Sequence, residues 1–418
     1  MRFRGLLDLG KTAVGWMSVA VWTGAILMAI PCARAMQALV ERSVGPRIYL
    51  ASSFVLGLGC AFALLVGILR GPRDRIARRV GGIILLGALS TWVLLTQLQT
   101  PAESFHFVEY GILGYLLFRA WRHHVGDFLI YPIAVLNLGL IACLDEFLQW
   151  LMPGRFWDFR DIRLNAMAGA IVLLAVAFIS ISPGIRGPVA RRSVRWLCIL
   201  AWAMLLALGL ALSNTPTRVD RYAGRLPFLG FLRNNESVMN EFGYRHVDPE
   251  IGTFYSRLLL SELIRIDNER GAEVGEILRR SRVLIHPSDY GKTAVISADP
   301  FRYELFRHLL QRDHYAATGG QYRESDPARY RRHFTVAFRE NQILEKYFPH
   351  ALDAAGCRWS PVRRAQCSES ADERFAYVSD VNHHLVSAAT ELELWSILLV
   401  LAGGCGWGYV RYGRETGG

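Results

Sequence analysis

The chain has 418 residues, of which 52% are hydrophobic and only 20% are charged, and its mean hydropathy is +0.22. This composition excludes intrinsic disorder, a collagen repeat and a coiled coil, while the length alone allows two or three domains. Long apolar runs fill residues 1–214, whereas residues 215–392 contain none. The sequence therefore predicts a membrane-embedded bundle joined to a soluble domain.

The net charge of +11 is distributed unevenly between these two parts. Residues 215–392 carry 25 Lys and Arg against 24 Asp and Glu, so almost all of the excess lies in the apolar part. Basic residues beside apolar segments fix membrane orientation more often than they bind nucleic acid. We therefore expect no nucleic-acid partner.

Eight apolar segments approach the roughly 20 residues that a membrane-spanning helix needs. They lie at about 12–32, 48–69, 80–98, 105–121, 128–149, 162–182, 195–213 and 393–411. The first lacks a convincing cleavage site with small residues, so we interpret it as an anchor. The expected fold is all-α, a polytopic bundle of about eight transmembrane helices with a mainly helical extracytoplasmic domain before the last span.

Arginine-rich stretches predict the orientation of this bundle. With eight spans, both termini and the stretches 70–79, 119–124 and 184–195 fall on one side of the membrane. The positive-inside rule makes that side the cytoplasm. Residues 215–392 are then periplasmic, and the chain is a multi-pass protein of a bacterial inner membrane.

Helical periodicity in the soluble segment predicts helices at 249–270, 299–313 and 326–348, the last two opening on an Asp-Pro pair. The short run 282–286 fits either a strand or an extended link, and 351–376 is predicted to be a loop. Cys357 and Cys367 are ten residues apart, and in an oxidising compartment they predict a local disulfide.

Polar residues recur within or beside three of the predicted spans. The eight-span orientation brings all three groups to the outer boundary of the inner membrane. Ionisable side chains at membrane depth are costly, at about 2.5–3.5 kcal/mol each near the centre of a spanning helix. Such groups indicate a functional site. The candidate residues are Glu103, His106, Glu109 and Tyr110 in the first group, Asp145, Glu146 and Gln149 in the second, and Arg155, Asp161 and Asn165 in the third.

A structural explanation of the same residues stays open. Asp161 has the position of an N-cap for the sixth predicted span. Pairs such as Asp145 with Arg155, or Glu146 with Arg163, could serve only to lock helix packing.

Four short motifs resemble those of the VanZ-like membrane family. The resembling residues are His106, Phe107 and Tyr110, then Asp145, Glu146 and Gln149, then Pro153, Gly154 and Arg155, then Asp161, Asn165 and Gly169. The resemblance covers about residues 80–182. One departure is that many members carry an Asp-Lys pair before the histidine, where this chain has Ala102 and Glu103.

The resemblance implies a polytopic membrane protein, and the founding member is associated with resistance to teicoplanin. Together with the predicted spans, it gives two N-terminal spans (1–79), a VanZ-like domain (80–182), a seventh span (183–214), the extracytoplasmic domain (215–392) and a last span with a cytoplasmic tail (393–418). This chain departs from the family pattern at Glu103. If the lysine of other members neutralises carboxylates, its absence leaves the site of this chain more acidic than theirs.

Three kinds of chemistry suit the candidate residues. The carboxylates with His106 offer oxygen-rich ligands for a divalent cation such as Mg²⁺, although no cofactor is evident. Arg155 can hold a phosphate through two hydrogen bonds, and His106 beside Glu109 can serve as a general base. Walker A, GxSxG and HExxH motifs are absent from the sequence, so those enzyme classes lack their signatures.

The favoured hypothesis is a VanZ-like protein that binds or acts on a membrane lipid or a lipid-linked envelope precursor at the outer leaflet. Its physiological role would be glycopeptide resistance or envelope homeostasis. The alternative is a non-catalytic membrane scaffold whose segment 215–392 binds a protein partner. Whether the protein is an enzyme stays open at this level.

Overall fold

The architecture comes from a computed structural model of the whole chain. The structure describes residues 2–45, 47–69, 76–98, 100–153, 155–179, 185, 187–233, 238–282, 299–372 and 374–413. The chain divides into two units, Met1–Leu210 with Trp395–Gly418, and Ala211–Leu394.

Apart from one short polar helix, the first unit consists of long helices whose apolar composition follows from the eight hydrophobic segments. They are α1 (Arg2–Ala29), α2 (Ala33–Ser43), α3 (Arg47–Leu69), α4 (Ile76–Thr96), α5 (Phe105–Trp121), α6 (Ile130–Trp150), α7 (Phe159–Ile179), α8 (Arg191–Ser213, ending at the unit boundary) and α15 (Glu391–Gly413). A 3-10 turn, Pro101–Ser104, leads directly into α5. The nearly all-α fold class is confirmed.

Six helices are long and apolar enough to cross a membrane, among the described residues. They are Gly10–Ala29, Arg79–Thr96, Ile130–Trp150, Phe159–Phe178, Arg191–Ser213 and Glu391–Tyr412. The predicted count of eight is therefore not confirmed, because the segments 48–69 and 105–121 are missing from this set.

The segments 48–69 and 105–121 are absent from the six candidate spans for different reasons. Helix α5 has 17 residues, so at 1.5 Å per residue it extends about 25 Å, short of a hydrocarbon core of about 30 Å. Helix α3 has 23 residues, but several of its side chains lie outside the described residues. A multi-pass membrane protein remains the architecture that the apolar helices support.

Glycines allow α5, α6 and α7 to approach closely. A Cβ on Gly114 would lie 2.9 Å from the carbonyl oxygen of Gly169, so α5 and α7 touch backbone to backbone there. A Cβ on Gly169 would lie 2.6 Å from Leu138 of α6 and 3.0 Å from the carbonyl oxygen of Tyr110. One face of α7 is thereby fixed against both neighbours, and this face carries Asp161 and Asn165 of the third group of candidate residues.

Aromatic side chains pack together at the other end of α5. Trp121 makes edge-to-face contacts with Trp16 of α1 and Trp196 of α8, each with ring centroids 5.3 Å apart. Asp127 lies after this end of α5, where it accepts hydrogen bonds from the Ser193 hydroxyl at 2.6 Å and from two backbone N–H groups. These contacts hold that end without any of the candidate residues.

The second unit is mainly helical with one small sheet. Its elements are α9 (Pro216–Ala223), a 3-10 helix (Pro227–Arg233), β1 (Tyr244–Asp248), β2 (Gly252–Ser256), α10 (Leu260–Arg282), α11 (Pro300–Thr318), α12 (Pro327–Tyr347), α13 (Pro349–Ala354) and α14 (Pro361–Ser370). The strands β1 and β2 pair antiparallel, with His246 opposite Phe254. Apolar faces of α10 to α13 and β2 form its main core.

The helix predicted at 249–270 is wrong over its first half. Asp248 accepts hydrogen bonds from the backbone N–H groups of Glu250 and Ile251, and Gly252 has φ of +117°, so a turn forms instead of a helix. The chain then continues as β2, and the helix begins only at Leu260. The apolar positions 251 and 254 fit a helical period, but the residues there belong to a β-hairpin and are buried on it.

The helices predicted to open on Asp-Pro are confirmed. Asp299 and Asp326 are N-caps whose carboxylates accept from the backbone N–H of Arg302 at 3.1 Å and of Arg329 at 2.9 Å. The predicted loop 351–376 is wrong, because it contains the end of α13 and all of α14. Of the ambiguous run 282–286, all but the first residue lies outside the described residues.

The predicted disulfide between Cys357 and Cys367 is not formed, and both residues carry thiols. Cys357 packs in the main core of the second unit, where its Sγ donates to the carbonyl oxygen of Ala355 at 3.3 Å. Cys367 packs in a separate cluster beside Trp359 and Phe338. Each sulfur fills apolar space of its own, which a spacing argument cannot reveal.

Asp248 should make the second unit sensitive to acid. Burial alone would raise its pKa, but hydrogen bonds from Lys346 and Tyr347 outweigh burial and lower the pKa from 3.8 to about 2. Its stabilisation is therefore complete above about pH 4 and is lost as the pH falls toward 2. In the full-length protein we expect the unfolding temperature of the second unit to fall more steeply over this range than in Asp248→Asn. Equal slopes would contradict the assignment.

Candidate functional site

The candidate residues lie at one end of α5, α6 and α7. His106 and Tyr110 occupy the first two turns of α5, and Asp145, Glu146 and Gln149 occupy the last two turns of α6. Asp161 and Asn165 occupy the first two turns of α7, which the loop 151–158 joins to α6. We call these residues, together with Glu103, Glu109 and Arg155, the polar cluster.

A chain of hydrogen bonds runs through the buried centre of the polar cluster. Tyr110 Oη donates to Asp145 Oδ2 at 2.7 Å, and Gln149 Nε2 donates to Glu146 Oε1 at 3.0 Å and weakly to Asp145 Oδ1 at 3.4 Å. The backbone N–H of Asp158 donates to Glu146 Oε2 at 3.0 Å. Tyr110, Asp145 and Glu146 are all at most 3% exposed. The two carboxylates are thus held in fixed positions with acceptor capacity to spare.

Arg160 is a member of the site that the sequence interpretation missed. Its Nη1 donates to Glu103 Oε2 at 2.8 Å and to the carbonyl oxygen of Gln97 at 3.2 Å, while its Nη2 donates to Asp161 Oδ1 at 3.2 Å. Arg160 therefore connects the turn before α5 with the start of α7. Its place directly before Asp161 in the sequence was the one available signal.

The ion pairs considered as a structural explanation are not formed. Arg163 donates to the side-chain oxygen of Gln97 at 3.2 Å instead of contacting Glu146. Arg155 makes no side-chain hydrogen bond to any residue that the structure describes, although its charge interacts with those of Glu146, Asp145 and Asp161. Arg155 is therefore an available cation at the edge of an acidic group.

His106 contacts Glu109 only loosely. Its Nδ1 lies 3.6 Å from Glu109 Oε2, too far for a hydrogen bond, and this nitrogen is buried without a hydrogen-bond partner in the described part of the chain. The charges of Asp161 and Asp145 act on His106 from α7 and α6. The geometry does not show the oriented histidine–carboxylate pair that a general base would require.

Asn165 is the least satisfied side chain of the polar cluster. It is 0% exposed, and neither its Oδ1 nor its Nδ2 has a hydrogen-bond partner among the residues described here. Asn165 lies one turn after Asp161 and one turn before Gly169, which contacts Tyr110 and Leu138. Its side chain therefore shares the α7 face that turns toward α5 and α6.

Buried polar atoms without partners concentrate at this site. Of thirteen such side-chain atoms in the described residues, five belong to four residues of the cluster and its loop, which are His106, Trp157, Arg160 and Asn165. Native proteins leave few such atoms unsatisfied, and each one requires an explanation. For a metal ion, the described residues contain no group of three His, Cys, Asp or Glu side chains placed to hold one. A divalent cation stays a prediction.

The family model described as VanZ/LLP1 matches residues 54–180. Residues 54–180 are thus a VanZ-like segment of this chain. The match begins within α3 and runs through α7, so it starts earlier than the resemblance at 80–182 and contains the whole polar cluster. No curated protein and no solved structure matches the chain. The function of the polar cluster is therefore inferred from its own geometry.

Proposed function

We propose that this VanZ-like protein binds a membrane lipid or a lipid-linked envelope component through the polar cluster, at the outer leaflet of a bacterial inner membrane. The unsatisfied side chain of Asn165 carries the proposal. An amide in an apolar bundle with neither donor nor acceptor paired costs about 1–3 kcal/mol, which a hydrogen-bonding ligand would offset. Residues that served only to lock helix packing would be paired with one another.

The surroundings of Asn165 support a ligand over internal packing. Asp145 and Glu146 are fixed by Tyr110, Gln149 and a backbone N–H, so the site is organised before any ligand arrives. Prearranged polar groups of this kind lower the ordering cost of binding. A reaction does not follow from the arrangement, because no nucleophile with an oriented base is present among the described residues of the cluster.

The proposal can be tested by identifying lipids that remain bound to the detergent-purified protein. We expect wild-type protein to carry a defined lipid that Asp145→Asn/Glu146→Gln loses, since the two exchanged groups lie at the centre of the cluster. Mass spectrometry of the extracted lipids, quantified per mole of protein, measures this loss. Chelation with EDTA shows whether a divalent cation takes part.

Asp127→Asn is the matched control for that experiment. Asp127 is also a buried carboxylate with several hydrogen bonds, but it lies beyond the opposite end of α5. We expect this variant to retain the lipid. Identical lipid content in all three folded proteins would refute the proposal and make the cluster a packing device.

The physiological role would be envelope homeostasis or teicoplanin-type resistance, as the family resemblance suggests. Expression of the wild-type protein in a susceptible host should then change teicoplanin susceptibility, and the Asp145→Asn/Glu146→Gln protein should not. The two proteins must accumulate equally in the membrane for this comparison.

A scaffold function is the second candidate, and a cleft on the second unit favours it. The cleft has a volume of about 530 Å³ and is lined by Phe338, Glu345, Arg358, Trp359, Pro361, Arg364, Ala365 and Ser368. Aromatic and arginine side chains of this kind are enriched at protein interfaces. If partner binding there is the main function, a change of the exposed cleft residue Arg364, Arg364→Ala, should abolish the cellular phenotype while changes in the polar cluster leave it intact.

A further inference from the structure

We infer that the ligand of the polar cluster has a zwitterionic head group of the aminoalkyl phosphate type, with a primary ammonium and a phosphate a few bonds apart. The inference rests on the proposed binding function and names its chemistry. The carboxylates lie in the inner part of the site, and an arginine lies in the loop between α6 and α7. A ligand that pairs with both must carry a positive and a negative charge.

The inner part of the site favours a cationic hydrogen-bond donor. Asp145 and Glu146 on α6 are joined through Gln149, and the charge of Asp161 on α7 acts on Glu146. Asn165 adds a buried, unpaired Oδ1 acceptor beside them. A primary ammonium has three N–H donors and a positive charge, so it can satisfy these acceptors together. A phosphate placed there would face three carboxylates.

The loop between α6 and α7 favours an anion. Arg155 forms no side-chain hydrogen bond or ion pair with any described residue, and its charge is close enough to that of Arg34 on α2 for the two to repel. Arg34 likewise has no ion pair among the described residues. Two arginine charges that act on each other, neither of them paired within the described residues, suit a phosphate, which accepts hydrogen bonds from guanidinium groups.

The same loop contains one more hydrogen-bond donor for a phosphate. Trp157 lies two residues after Arg155, is 8% exposed, and has an indole N–H without a partner in the described part of the chain. An indole N–H can only donate, so it requires an acceptor such as a phosphate oxygen. Arg160 is excluded from this role because Glu103 and Asp161 already engage it.

A neutral sugar is the chief competitor, since its hydroxyls could satisfy Asn165. It would leave Arg155 and Arg34 without a counter-charge, and it would not balance the three carboxylates. The zwitterion answers both sets of groups at once. The head group could come from a membrane phospholipid or from a soluble aminoalkyl phosphate, and the experiment separates the two.

The test measures binding of defined lipids to the delipidated, detergent-solubilised full chain by native mass spectrometry. The probes are short-chain phosphatidylethanolamine, phosphatidylcholine, phosphatidylglycerol, a neutral monoglucosyl diacylglycerol and water-soluble phosphoethanolamine. We expect phosphatidylethanolamine to bind at least about tenfold more tightly than phosphatidylcholine, because methylation removes the N–H donors of one charge-assisted set. Binding of phosphoethanolamine as well would show that the head group suffices.

Two variants assign the halves of the site. Glu146→Gln should reduce the preference for phosphatidylethanolamine over phosphatidylcholine, while Arg155→Met should weaken phosphatidylethanolamine and phosphatidylglycerol alike. Asp127→Asn should change neither.

Equal binding of phosphatidylethanolamine and phosphatidylcholine would overturn the inference, as would tighter binding of the glucolipid or of phosphatidylglycerol. In those cases the cluster would still be a ligand site. If no probe binds and the lipid content of the purified protein does not depend on Asp145 and Glu146, the proposed function itself fails.

Discussion

Asn165→Leu is expected to stabilise the delipidated protein. Leucine has nearly the shape of asparagine but no polar atoms, so the substitution removes a buried donor and acceptor that have no partner among the described residues. Relief of about 1–3 kcal/mol raises the unfolding temperature of the first unit by at least about 2 °C. Differential scanning fluorimetry in detergent measures the shift.

The control for this prediction is Asn341→Leu in the second unit. Asn341 is also 0% exposed, but its Oδ1 accepts a hydrogen bond from Arg312 Nη1 at 3.2 Å. The same exchange there should lower the unfolding temperature of its unit, because a buried arginine loses a partner. A fall in stability for Asn165→Leu as well would mean that Asn165 has a structural role, and the ligand interpretation would lose its basis.

A gain in stability at the expense of function would have a general physical meaning. Binding sites often hold polar groups in arrangements that are unfavourable until the ligand arrives. Asn165→Leu should therefore be more stable than wild type when both are stripped of lipid. It should gain less stability than wild type when the lipid is added back, because only the wild-type site can use the bound head group.

Arg257→Met is expected to be the most damaging single change in the second unit. Arg257 is 8% exposed and pairs with Glu241 and Glu304, donates to Asn382 Oδ1 at 2.8 Å, and anchors Glu304 through its own backbone N–H. Without the guanidinium, the buried Glu304 loses its cation and Glu241 keeps only His384, at a cost of about 3–5 kcal/mol. For a unit of this size the unfolding temperature should fall by roughly 10 °C.

The electrostatics of Glu241 explain why that loss is large. Burial alone would raise the pKa of Glu241, but hydrogen bonds and charges from His384 and Arg257 outweigh burial and lower it. The carboxylate is therefore ionised in the native state and depends on these cations. Arg257→Met/Glu241→Gln should recover part of the lost stability.

Arg265→Met is the control for this second prediction. Arg265 pairs with Glu269 on the exposed surface of α10, and exposed pairs of this kind contribute at most about 1 kcal/mol. An effect of Arg257→Met as small as that of Arg265→Met would contradict the role assigned to the buried network.

The sequence was most informative where membrane physics restricts the choices. Of the eight spans predicted from apolar length, six are helices long and apolar enough to cross a membrane within the described residues. The motifs of the VanZ-like resemblance name the residues that meet at one end of α5 to α7. Tyr110 and Asp145 are 35 positions apart, yet alternating helix direction already brings them to the same end. The hydrogen-bond partners within the cluster could not be predicted from the sequence. Arg160 was missed because its role depends on the distance to Glu103.

Local pattern was least informative in the second unit. Ile251 and Phe254 fit a helical period equally well as they fit a buried hairpin, and Asp248 with Gly252 decides for the hairpin through backbone geometry. Cys357 and Cys367 have a spacing that suits a disulfide, but each thiol packs into a different cluster. Whether a buried amide such as Asn165 finds a partner is a property of tertiary packing, which no spacing in the sequence expresses.

Asn165 lacks a hydrogen-bond partner among the described residues because, on this proposal, a ligand supplies one. Native mass spectrometry of wild type beside Asn165→Leu, purified in the same mild detergent, tests it most directly. We expect a lipid adduct on the wild type that is reduced at least about tenfold on the variant, while the variant unfolds at the same or a higher temperature after delipidation. Equal adducts on two folded proteins would contradict it.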